Sequence, residues 1–237
     1  MKKSFFGIFL TVLLLASCSS QVNGVLREGG SAELAIVASL EPRMSILVKS
    51  LNMIMGDPDS QQILDGPSIS RSMSASPGVK SVNLKNTGPS SVEGTAVIAK
   101  VEDFLYLTNG TPFIVYSESS KNGKSTGRIL ISLDRETAPA LIELLSGEAI
   151  DYLSALMAPA VIGEDMSKNE YLTLVGSIYG PGIASDISAA GISVSIDFPG
   201  PITQIRGGTA DGAKAVFKIP LLDILVLETP QSWEVSW

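Results

Sequence analysis

Gly191-Ile192-Ser193-Val194-Ser195-Ile196-Asp197-Phe198 is the stretch whose period decides the fold class. Ile192, Val194, Ile196 and Phe198 alternate with Ser193, Ser195 and Asp197. A period of two puts the apolar set on one face of a strand and the polar set on the other, the pattern of a sheet with one buried face. Downstream the period holds. Ala215, Phe217 and Ile219 alternate, and Trp233, Val235 and Trp237 share one face of a terminal strand. A large apolar face of this kind predicts core or sheet-edge packing of both tryptophans rather than a ligand platform. Each buried indole then needs a partner for its N–H. Leu221 to Glu228 fits a short helix and a strand equally well.

Upstream of the opening stretch the period lengthens to that of a helix. Ser167 and Glu170 have capping-box spacing, and Tyr171, Leu174, Val175 and Ile178 form an apolar face that Gly180-Pro181 ends. Asp134 is placed to cap an earlier helix with the face Ala138, Leu141, Ile142 and Leu145, and Glu136 favours its positive end. A further helical run covers Ala149 to Met157. Before these, Val79 to Lys85, Val92 to Val101, Phe113 to Ser117 and Arg128 to Leu133 read as strands. Asn86-Thr87-Gly88-Pro89 and Thr108-Asn109-Gly110-Thr111-Pro112 are turn signals, and Lys121-Asn122-Gly123-Lys124 marks a hairpin. This block predicts an antiparallel meander. Further back lie a strand from Glu33 to Ala38 and a helix begun by Pro42, with the stripe Met44, Leu47, Val48, Leu51 and Met55. Gly56-Asp57-Pro58 ends that helix, and residues 60 to 76 are Ser-rich and weakly helical. Strands and helices come in blocks rather than in regular alternation. The expected class is therefore α+β, with mostly antiparallel sheet of about eight strands and helices packed on one side. Residues 31–237 are expected to form one domain, with 163–168 as the place where two lobes would divide.

The N-terminus has a different character. Met1-Lys2-Lys3 precedes an apolar run from Phe5 to Ala16, which ends in Leu15-Ala16-Ser17-Cys18. Basic start, apolar core and small residues are the layout of a secretory signal. The run is shorter than the ~20 residues of a spanning helix. Leu-small-small-Cys resembles the cleavage motif of the bacterial lipoprotein precursor family, a likeness confined to about the first twenty residues. The resemblance implies cleavage before Cys18, a diacylglycerol thioether on its sulfur, and frequent acylation of its new amine. It also implies a membrane anchor: buried chains contribute ~0.8 kcal/mol per CH₂, and more than one chain makes the attachment stable. Residues 1–17 are then a signal peptide. Residues 18–30, with Ser19-Ser20-Gln21, Asn23-Gly24 and Arg27-Glu28-Gly29-Gly30, read as a lipidated tether spanning roughly 20 Å. In many such precursors an Asp after the cysteine marks inner-membrane retention. Ser19 stands there, so the resemblance implies the outer membrane ahead of the inner one.

Composition excludes more than it suggests. The 237-residue chain has a formal charge of -7, and loss of Lys2 and Lys3 with the signal leaves -9. Such a chain is a poor partner for nucleic acid, whose binding depends on neutralising phosphates. It holds no histidine and Cys18 is its only cysteine. A Ser-His-Asp triad, a Cys-His pair, a Cys/His zinc site and a structural disulfide are all ruled out.

The remaining motifs are weak. Gly123-Lys124-Ser125 imitates the end of a phosphate-binding loop, but Glu118 stands where the first glycine is needed. Gly180-Pro181-Gly182 and Gly207-Gly208-Thr209 are turns. Asp57-Pro58-Asp59-Ser60 offers oxygens to a cation but lacks the glycine and distal glutamate of an EF-hand. The acidic pairs Glu164-Asp165 and Asp134/Glu136 are close in sequence, which establishes no catalytic separation. Ser177 follows Gly176 inside an expected helix, not on a nucleophile elbow. Asn109-Gly110-Thr111 is a turn rather than a glycosylation site. No catalytic, cofactor or metal residue is assigned, and lipidation of Cys18 is the single site expected. The reading is a non-enzymatic envelope lipoprotein: a binding or scaffolding module whose partners are the membrane and an envelope protein or apolar ligand. The alternative is a histidine-free hydrolase using a Ser-Lys or paired-carboxylate site, which needs those groups within hydrogen-bond reach in one cleft.

Overall fold

The computed structural model describes residues 19–55, 63–75, 78–101, 103, 114–121, 124–138 and 153–237. Its class is α+β, as the sequence predicts. Among these residues, eleven strands form two sheets ordered β3-β4-β2-β1-β7-β10-β9 and β5-β6-β11-β8. The strands of the larger sheet are β1 (Ser19–Leu26), β2 (Ala32–Ser39), β3 (Val79–Gly88), β4 (Ser91–Ile98), β7 (Gly191–Asp197), β9 (Thr209–Asp211) and β10 (Lys214–Pro220). Those of the smaller are β5 (Ile114–Lys121), β6 (Lys124–Leu133), β8 (Gln204–Arg206) and β11 (Gln231–Ser236). The helices are α1 (Pro42–Met55), α2 (Gly66–Ser74), α3 (Pro159–Ile162), α4 (Lys168–Tyr179), α5 (Pro181–Ala189) and α6 (Leu221–Val226).

The expected tether is corrected. From Ser19 to Leu26 it is β1, the middle strand of the larger sheet, antiparallel to β2 and parallel to β7. The Gly-rich segment after it is a hairpin turn. Arg27 N–H donates to Ser31 O at 2.8 Å, and Gly29 and Gly30 supply φ of 81° and 74°. Such positive φ is what glycine gives a turn at little steric cost. Inside β1, Gly24 leaves room for the side chains of Leu34 and Ile196, which occupy the space a Cβ would need. The segment expected as tether is therefore part of the sheet from Ser19 onward.

The expected meander is also divided. β3 and β4 belong to the larger sheet and β5 and β6 to the smaller. The β5–β6 hairpin closes at Lys121 and Lys124 as predicted. Gly207 and Gly208 carry the chain from β8 in one sheet to β9 in the other. The expected turn at 108–112, most of the expected helix from Ala138, and the first part of the helix from Ala149 lie outside the described residues.

One face of the larger sheet is buried and the other is open. Ser20, Val22 and Leu26 of β1, and Ala32, Leu34, Ile36 and Ala38 of β2, point inward, while Gln21, Asn23, Val25, Glu33, Ala35 and Val37 are exposed. Three covers share the inner face. The smaller sheet packs Val235 and Trp237 on Leu26, Ala32, Ala215 and Phe217. Met73 of α2 packs on Val22, Leu34 and Ile36. Val48 of α1 packs with Ala38, Leu40 and Val92.

The helices α1, α4, α5 and α6 form a core of their own at one end of the sheet, built from Met44, Tyr171, Val175, Ile183, Ile187, Leu221 and Leu225. Leu153, Leu156 and Ala158 join it from before residue 163, so this core draws on both sides of the 163–168 segment. Tyr171 is fully buried, and its hydroxyl donates to Leu156 O at 3.2 Å. Burial pushes that hydroxyl's pKa above its ordinary value. Ser167 and Glu170 make the predicted capping box at the start of α4. Gly180-Pro181 ends α4 as expected but also opens α5, which the sequence reading passes over. Pro181 serves there at the first helical turn, where its missing N–H costs nothing. The undecided stretch from Leu221 is helical at α6.

Candidate functional site: the N-terminal end of the central strand

Cys18 lies outside the described residues. Its neighbour Ser19 opens β1 opposite Ser39 of β2. Ser20 lies between Ala38 and Ile192, is 2% exposed, and its hydroxyl has no hydrogen-bond partner among the described residues. Three helices join the sheet at this same end: α1 follows β2, α5 precedes β7, and α6 follows β10. Leu221 N–H donates to Ala190 O at 2.9 Å and ties two of these junctions together. The position expected to carry lipid is thus continuous with the end of the sheet on which the helical core is built.

Charge at this end is fixed by pairing. Arg43 of α1 grips Asp186 of α5 with Nε and Nη2, both at 3.0 Å, and the Asp186 side chain is only 9% exposed. This bidentate pair joins α1 to the helical core. Lys168 reaches Asp223 at 2.6 Å and joins α4 to α6.

The hydrolase alternative requires a serine against a carboxylate or lysine. Ser125 Oγ does donate to Glu118 Oε1 at 2.7 Å. The other oxygen of Glu118 accepts from Tyr116 OH at 2.7 Å and from Gly29 N–H at 3.0 Å. Burial pushes the Glu118 carboxyl upward, but the bonds from Ser125, Tyr116 and Gly29 outweigh it and leave its pKa below the ordinary value. A carboxylate held ionised by three donors is a weak base towards the hydroxyl it accepts from. What it does mechanically is clear: it clamps the β1–β2 turn to the β5–β6 hairpin. The capping box is a second serine–carboxylate contact, at a helix start.

The other expected candidates are structural where described. Asp134 Oδ1 accepts from Thr137 N–H at 2.7 Å and from Glu136 N–H at 2.9 Å, the capping role expected of it. These bonds, the Thr137 backbone first, lower its pKa. Asp165 pairs with Arg135 rather than with Glu164. Ser177 Oγ donates to Leu174 O at 2.7 Å within α4. Asp57, Asp59 and Asn109 to Thr111 lie outside the described residues. Among the described residues, no three His, Cys, Asp or Glu side chains converge as metal ligands, and no helix is long and apolar enough to cross a membrane. Trp237 is packed as expected, with ring centroids 5.0 Å from Phe198 and 6.2 Å from Tyr116. Its indole N–H, however, is buried without a partner among the described residues.

Two charged nodes escape the sequence reading. Glu234 of β11 is 4% exposed, between Arg128 at 2.7 Å and Arg206 at 3.9 Å on the flanking strands. Arg135 donates to Leu227 O at 3.1 Å and to Met166 O at 3.3 Å, pinning the end of α6 to the segment before α4. The alternation around Glu234 does mark it as facing away from Trp233 and Val235, but its arginine partners lie on strands distant in sequence.

No family model matches the chain. It is 27% identical over 168 residues to transforming growth factor-beta-induced protein ig-h3 of Sus scrofa, a stretch covering 69% of this chain and 23% of that protein. The chain thus spans less than a quarter of that relative's length. The NMR structure of the folded domain of the Mycobacterium tuberculosis LppM protein aligns with a TM-score of 0.37 and 9% identity, over 92% of this chain and 87% of that one. A score of that size assigns neither a shared fold nor a role.

Proposed function

We propose that this protein is a bacterial envelope lipoprotein: cleaved before Cys18, lipidated on its sulfur, and held at a membrane as a non-enzymatic binding or scaffolding module. The observation that carries the reading is the leader itself: a basic start, an apolar run and Leu15-Ala16-Ser17-Cys18. Cleavage before Cys18 would remove that leader and leave every described strand whole. Cys18 would serve attachment alone. An envelope protein and an apolar ligand are the two kinds of cargo such a module would hold. The outer membrane is the favoured address, because Ser19 rather than Asp follows the cysteine.

Two measurements test this. Mass spectrometry of the N-terminal peptide from native membranes should show Cys18 as the first residue, carrying acyl mass. Cys18→Ser should move the protein from the membrane to the soluble fraction, and its continued retention would sink the anchor. Lipids and proteins that co-purify with the mature protein then separate the two kinds of cargo.

A further inference from the structure

The anchor leaves the domain little freedom. One peptide bond joins Cys18 to Ser19, a Cα–Cα step of ~3.8 Å. Ser19 opposes Ser39, and opposed residues of an antiparallel pair lie ~4.5–5.5 Å apart. α1 begins three residues beyond Ser39, at most ~10 Å along the chain. Val48, on the second turn of α1, packs in one cluster with Ala38, the residue opposite Ser20. α1 therefore lies within a helix diameter or two of the residue that follows the lipid.

Its outer face is unusual for a soluble helix. Ile46 is 65% exposed and Met53 63%, the highest values among the exposed large apolar residues described. Seven residues apart, they stand two turns from each other on one face, ~10 Å along the axis. Ile178, in the last turn of α4, is a third at 50%, and the Arg43 side chain of α1 fills the space that a Cβ at Gly182, four residues on, would need. Lys49 is exposed beside the Ile46–Met53 line and matches an anionic headgroup. The formal charge of -9 after cleavage opposes attraction to anionic lipid over the whole molecule, so local apolar contact has to hold this face down.

Resting on the lipoprotein reading above, we propose that the Ile46–Met53 face of α1 docks on the bilayer that holds the lipid of Cys18. The helix then lies in the headgroup region, with its apolar side chains at the acyl boundary, as interfacial amphipathic helices do. The occupant is the bilayer rather than a protein, because a tether of one residue keeps this end of the sheet at the membrane surface. The domain is thereby oriented, with the β1–β2 turn pointing away from the membrane, ~25 Å from Ser19 along β1.

The test uses the full lipidated protein reconstituted into vesicles of phosphatidylethanolamine and phosphatidylglycerol. The Cys18 sulfur is consumed by its thioether, so a new cysteine is the sole site for a fluorescent label. Ile46→Cys and Met53→Cys are compared with Glu28→Cys in the β1–β2 turn, all at exposed positions that tolerate substitution. Lipids carrying a nitroxide at the acyl boundary should quench labels at 46 and 53 several-fold more than the label at 28. Equal quenching at all three, with acyl mass confirmed on Cys18, overturns the docking and leaves the anchor standing. Absence of acyl mass on Cys18 overturns the anchor and the docking with it.

Discussion

Glu118 shows how a single side chain joins elements distant in sequence. Its oxygens take hydrogen bonds from Ser125, Tyr116 and Gly29. Its folded pKa lies below the ordinary 4.5. A depressed carboxyl contributes stability that is fully present above the unfolded value and is lost as pH falls through the folded one. Urea midpoints measured from neutral pH downward should therefore fall below about pH 4.5, in part through this group. Glu118→Gln should cost about 1 kcal/mol at neutral pH and flatten that acid slope. An unchanged slope would remove the clamp from the stability account. Little of this was legible in the sequence. Tyr116, Glu118 and Ser125 are neighbours on a readable hairpin, but Gly29 belongs to a turn that looked like linker. The exclusions were legible, because the absence of histidine needs no structure to interpret.

At the scale of elements, α2 shows a Ser-rich stretch put to use. β3 is the edge of the larger sheet. Its outward N–H groups are met by α2: Ser70 Oγ accepts from Leu84 N–H at 2.7 Å, and Ser74 Oγ from Val82 N–H at 3.2 Å. Asn86 continues the row by accepting from Gly66 N–H at 3.0 Å. An unpaired edge invites pairing with another chain, and here a helix covers it. The double variant Ser70→Ala/Ser74→Ala should lose about 1–2 kcal/mol. It should also associate with rising concentration in light scattering, and a monodisperse, fully stable variant would refute the covering role. Elements were readable where their signal is local: the alternation of β7, β10 and β11, the β5–β6 turn and the capping box of α4. They were unreadable where function overrides propensity. In α2 the serines satisfy a strand rather than a helix. In β1 the inward positions are Ser20, Val22, Gly24 and Leu26, and half of them are too small to show a period. Pro181 looked like a stop because the second helix starts where the first ends.

For the molecule as a whole, β1 is what turns two three-strand segments into a seven-strand sheet. It joins β2, and through it β4 and β3, to β7, β10 and β9. Deleting residues 19–26 should abolish cooperative unfolding in circular dichroism, while removing only residues 1–17 should leave the urea midpoint unchanged. A folded product lacking 19–26 would restore the tether reading. The partition of strands between two sheets could not be read in advance, because each sheet is closed by partners far apart in the chain. Ser20 pairs with Ile192, and Ser236 with Arg128. That separation has a consequence in time. A chain made from its N-terminus at ~5–20 residues per second presents β1 about 8–30 s before β7 exists. During that interval β1 has one raw edge, and Leu26 lacks its covers Phe198, Phe217, Val235 and Trp237, which come later still. The first strand is also among the last to be completed, so the window for mispairing or proteolysis opens early in synthesis and closes only near its end.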